Sequence, residues 1–119
     1  MSEPTHRDLA AGRWRSLSLA EQLGNIGSEV GRAASWATRQ PARAEAAFHR
    51  ALDLFDLTLD DPRLRTSLPR LREVARAREV VVDFFAGPNA YGTTAASLQK
   101  YFDAFAVAAR RQVVRRPRG

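Results

Sequence analysis

A chain of 119 residues is the length of one ordinary domain, able to bury a core without crosslinks. Its lack of cysteine excludes disulfides, thiolate catalysis and cysteine-based zinc sites. Of the net charge of +6, five come from Arg110, Arg111, Arg115, Arg116 and Arg118 in an acid-free stretch, so the body is nearly neutral and strong basicity belongs to the tail.

No apolar run approaches the roughly 20 residues of a membrane helix, and residues 1–8 are polar. The expectation is a cytoplasmic protein without a membrane span or signal peptide. Its predicted parts are a polar leader at 1–12, a helical body at 13–113 and a basic tail at 114–119.

The first predicted helix covers 18–39. Ser18 and Glu21 form an S-x-x-E capping box, and Leu19, Leu23, Ile26, Val30, Ala33 and Ala37 recur on one helical stripe. Pro41 ends it and opens a second helix over 41–59, with Ala44, Phe48, Ala51, Leu52, Phe55 and Leu59 inward. Asp60, Asp61 and Pro62 mark a break and a new start.

The third helix runs to about residue 86 on Leu64, Leu68, Leu71, Val74, Ala75, Val81, Val82 and Phe85. Pro69 allows two forms: a short turn followed by a helix capped by Ser67, or one bent helix from Pro62. Gly87 and Pro88 stop it, and 89–94 is a loop. Thr93 or Thr94 caps the last helix, whose stripe is Leu98, Phe102, Phe105, Ala109 and Val113. Four amphipathic helices joined by short connections predict an all-α antiparallel up-down four-helix bundle.

Gly24, Gly27, Gly31 and Ala34 form a small-residue stripe beside the core stripe of the first helix. Each glycine costs about 1 kcal/mol relative to alanine, so close packing is expected there, either inside the bundle or against a second subunit. Gln22, Asn25, Glu29, Arg32 and Trp36 read as a solvated face, or as one that hydrogen-bonds across a seam. His49, Asp53, Asp56 and Asp60 share a face of the second helix. Without an E-x-x-H partner motif they are expected to pair with Arg72, Arg76 or Arg78 rather than hold a metal.

The third helix sets Arg70, Arg72, Arg76 and Arg78 against Glu73, Glu79 and Asp83, with the acids concentrated towards its end and the arginines towards its start, against the preference of the helix dipole. The arginines therefore serve either an anionic partner or the acidic stripe of the second helix. Trp14, Trp36, Tyr91 and Tyr101 could stack on single-stranded bases, although Trp14 and Tyr91 also suit sealing the two bundle ends. No nucleophile has a base beside it, and no cofactor motif is present.

The blocks L-S-L-A-E-Q-L-G-N-I-G-S-E-V at 17–30, A-L-D-L-F-D-L-T at 51–58, A-R-E-V-V-V-D-F-F at 77–85, N-A-Y-G at 89–92 and Y-F-D-A-F-A-V-A-A-R at 101–110 resemble small bacterial four-helix-bundle proteins. Among these the chain is similar to accessory variability proteins of diversity-generating retroelements over about residues 13–111. The resemblance implies a ring-forming homo-oligomer, often a pentamer, that binds a reverse transcriptase and its template RNA. The near-neutral body departs from the basic bundle so implied.

The functional expectation is a non-enzymatic accessory subunit. It binds RNA or DNA through Arg70, Arg72, Arg76, Arg110, Arg111, Arg115, Arg116 and Arg118 and assembles through Gly24, Gly27 and Gly31. The alternative is a helical protein-interaction or antitoxin-like scaffold with an incidental tail.

Overall fold

The computed structural model describes the backbone over residues 6–115 and side chains over 11–108, 110 and 111. Among the described residues it is all-helical: α1 (His6–Arg15), α2 (Leu19–Trp36), α3 (Pro41–Leu59), α4 (Pro62–Arg65), α5 (Leu68–Ala86) and α6 (Ala95–Arg115). None of these is long and apolar enough to cross a membrane.

The starts follow from local chemistry. Ser18 Oγ accepts from the Glu21 amide and the Glu21 carboxylate accepts from the Ser18 amide, both at 3.1 Å, completing the predicted box at α2. Pro41 and Pro62 each sit at a helix start, where no intrahelical amide bond is lost. Asp61 caps α4 by accepting from the Arg63 amide at 2.9 Å. Of the two forms allowed around Pro69, the structure takes the short turn, α4, followed by a separate α5, although the Ser67 side chain makes no capping bond. Thr94 is the cap of α6, its Oγ1 accepting from the Ser97 amide at 3.0 Å.

The long helix α2 lies at the centre, packed along α3 on one side and α6 on the other, while α5 rests on α3. Leu23, Ile26, Val30 and Ala33 face inward as the stripe predicts, but Ala37 lies beyond the helix end and is exposed. Phe55 of α3 and Phe102 of α6 meet edge to face at 6.2 Å beside Val74 and Val81 of α5. Full burial of such a side chain contributes about 2–3 kcal/mol. Leu68, expected inward, is 53% exposed because it is the first residue of α5, outside the packed turns.

The leader departs from expectation, since α1 runs across the boundary drawn between residues 12 and 13. Trp14 anchors it: the indole is buried and donates to Thr58 Oγ1 at 2.9 Å, sealing one end of the core. The helix α6 likewise extends to Arg115, past the boundary drawn at 113. The predicted core positions Ala109 and Val113 lie outside the described side chains, as do Arg115, Arg116 and Arg118.

Candidate functional site

The starts of α2, α4 and α5 and the middle of α6 surround a groove of about 560 Å³. Arg63 and Arg70 stand on one wall and Ala104, Phe105 and Ala108 of α6 on the other. Arg110 and Arg111 follow within a turn of Ala108, while Arg72, two residues beyond Arg70, is exposed on another face of α5, a turn before Arg76. The groove thus sets Arg70, at the start of α5, opposite residues 104–108 of α6, which are far from it in sequence.

Beneath this groove lies a buried polar cluster that the helical pattern did not reveal. Gln22, expected on a solvated face, has no exposed surface. Its Nε2 donates to the Trp14 carbonyl at 2.9 Å and to Asp61 Oδ2 at 3.2 Å, while its Oε1 has no partner. Arg63 closes on Asp61 Oδ2 at 2.7 Å and on the Leu17 carbonyl at 2.7 Å. The Arg63 hydrogen bond outweighs burial and holds the Asp61 carboxyl down to about 2, and Asp61 in turn raises the Arg63 guanidinium. The same polar spacing on α2 carries Glu29, which does reach across a seam, accepting from Arg50 of α3 at 3.1 Å.

The carboxylates on α3 satisfy other arginines. Arg78 pairs with Asp56 at 2.9 Å, as one of the expected partners, whereas Asp60 is shared by Arg15 at 3.9 Å and Arg65 at 3.8 Å. Arg70, Arg72, Arg110 and Arg111 have no ion pair among the described residues. No group of three or more metal-binding side chains occurs among them, and His49 is exposed.

Arg76 lies apart from this groove. Its guanidinium sits over the Tyr91 ring at 5.7 Å, beside a second opening of about 310 Å³ between α5 and α6. The loop there is built by the acids that oppose the α5 dipole. Asp83 accepts from the Ala90 amide at 3.0 Å and the Tyr91 amide at 3.1 Å, and Asn89 brackets Thr93 through both its side-chain amide atoms. Asn89 at φ 54° and Gly92 at φ 62° supply the left-handed turns this requires.

The glycine stripe meets α6 of the same chain, the intramolecular one of its two readings. Gly24 faces Ala106, Gly27 is covered by Phe102, and Gly31 faces Gln99. Of the proposed stacking aromatics, Trp14 is buried, Trp36 lies under Arg43 at 5.8 Å, Tyr101 is half-buried, and Tyr91 is 48% exposed. Compared with known proteins, the chain matches no family model, no curated protein and no solved structure.

Proposed function

We propose that this chain is a non-enzymatic accessory subunit that binds the nucleic-acid backbone through its basic end, with Arg70, Arg72, Arg110 and Arg111 as phosphate contacts and the tail arginines extending them. The carrying observation is that these four arginines have no ion pair among the described residues. Exposed cations without a carboxylate partner release phosphate counterions at little desolvation cost, which gives sequence-tolerant, salt-sensitive affinity. The sequence resemblance names the setting: RNA copied by a reverse transcriptase in a diversity-generating retroelement.

The architecture in this reading is an antiparallel up-down bundle of α2, α3, α5 and α6, with α1 and α4 closing one end. The packing of α2 on α3 and α6, and of α3 on α5, supports it. Ring assembly would gather several basic ends and raise the local positive charge above that of one body. With Gly24, Gly27 and Gly31 covered by α6, assembly would use other surfaces.

The test is binding of single-stranded RNA by fluorescence anisotropy across a salt series. Each lost phosphate contact reduces the slope of log K against log salt by about 0.7, so Arg70→Ala/Arg110→Ala/Arg111→Ala should flatten it by about 2. A salt-independent affinity, or an unchanged slope in the triple variant, would refute the proposal. Recovery of a protein partner after nuclease treatment, unaffected by those substitutions, would favour the scaffold reading.

A further inference from the structure

The opening between α5 and α6 arises from residue size. The two helices barely approach one another in backbone, although each packs on another neighbour, α5 on α3 and α6 on α2. Ala77 is the inward residue of α5 at this level, and its single methyl leaves a slot of about 310 Å³ floored by Leu98 and Phe102. That volume is at the lower end of small-molecule sites, and a mostly apolar lining with a few converging polar groups is their usual composition.

The polar groups are unequal. Glu73 Oε1 accepts from the Tyr101 hydroxyl at 3.4 Å, so this carboxylate already has a donor. Burial, reinforced by the Glu73 charge, raises the Tyr101 phenol to about 12 and keeps it protonated. Arg76, by contrast, has no carboxylate partner among the described residues; it is held at the rim by the Tyr91 ring alone. The Thr93 hydroxyl beside it is engaged by none of them either, and its backbone is fixed by Asn89. A guanidinium without an ion pair and a hydroxyl without a partner among the described residues thus line the slot by Tyr91, whose own hydroxyl donates to Glu79 at 3.5 Å, while the Glu73 carboxylate lies by Tyr101.

We infer that this slot binds a small amphipathic monocarboxylate, its apolar body lying on Leu98 and Phe102 and its carboxylate meeting Arg76 and Thr93. The Glu73 charge lies beside Tyr101, so a single negative charge placed at Arg76, by the Tyr91 ring, meets less repulsion from it than a phosphate dianion would. The loop built on Asp83 and Asn89 holds Tyr91 and Thr93 in place without the ligand, so little ordering cost accompanies binding. The site is separate from the basic end and does not depend on nucleic-acid binding.

The test uses the full chain with two probes of nearly equal shape, 4-phenylbutyrate and its neutral analogue 4-phenylbutanol, followed by amide chemical shifts. Both should saturate and shift residues 73–80 and 93–102, with the carboxylate about tenfold tighter. In Arg76→Gln the carboxylate should fall to the affinity of the alcohol while alcohol binding persists, which also shows that the slot remains folded. Equal affinities in the native chain, a preference that survives Arg76→Gln, shifts located elsewhere, or no saturable binding at millimolar probe would each overturn the inference.

Discussion

Gly24 and Gly27 lie one turn apart on α2 and should respond to alanine with opposite signs. Removing a glycine from a helix interior stabilises by about 1 kcal/mol. At Gly24 the added methyl would stand 3.5 Å from the Ala106 Cα, an ordinary contact, so Gly24→Ala should keep that gain. At Gly27 the new Cβ would stand 2.4 Å from Phe102 Cβ and 2.9 Å from Cγ. Phe102 is 1% exposed and its Cβ is fixed to the α6 backbone, so only a shift of the whole helix relieves the overlap. Overpacking of this kind costs about 3 kcal/mol at its upper range, leaving a net loss of about 2 kcal/mol.

In thermal unfolding, at about 4 °C per kcal/mol for a domain of this size, Gly24→Ala should rise by about 4 °C and Gly27→Ala fall by about 8 °C. Urea unfolding followed by circular dichroism should give the same order. Shifts of equal sign, or a Gly27→Ala variant with native stability and altered oligomeric mass, would refute packing of this face against α6.

The remaining predictions concern the two ends of the core. The Asp61 carboxyl is depressed from 3.8 to about 2, so its stabilisation is complete above pH 4 and is lost as pH falls towards 2. The loss is about 2 kcal/mol and should be absent from the acid unfolding profile of Asp61→Asn. Trp14→Phe keeps the ring but strands buried Thr58, and should lower the urea-derived stability by about 1–2 kcal/mol; no change would deny the docking of α1. The Tyr101 phenol, raised from 10.0 to about 12, contributes stability that is present below pH 10 and lost as pH rises towards 12. With Tyr91→Phe leaving Tyr101 as the one phenol, its ultraviolet titration should centre near pH 12, and a centre near 10 would contradict its burial.

Helix identity and most helix starts were legible in the sequence because they depend on neighbours a few positions apart. Ser18 with Glu21, Pro41 and Asp61 with Pro62 each act within one turn, and the stripe from Leu23 to Ala33 follows helical spacing. The burial of Gln22 was not legible. A glutamine on a polar stripe has the same spacing whether it meets water or, as here, the Trp14 carbonyl and a carboxylate 39 positions away. The helix α1 was not legible because residues 6–15 carry no apolar stripe at helical spacing, and its anchors, Trp14 on Thr58 and Arg15 on Asp60, depend on residues far along the chain.

The arginines were legible as residues but not as a group. Nothing in the spacing of Arg70 and Ala108 indicates that they line one groove. That proximity comes from how α5 and α6 each pack on a third helix, α3 and α2. Arg76 stands at the other opening, beside Tyr91, which a list of basic residues could not separate from the rest.

Nucleic-acid binding at the basic end is tested most directly by mapping amide shifts on the full chain as a short single-stranded RNA is added at low salt. Perturbations should concentrate at residues 61–72 and 104–111 and vanish as salt is raised. Perturbations confined to the exposed faces of α2 and α3, or none at saturating RNA, would contradict it.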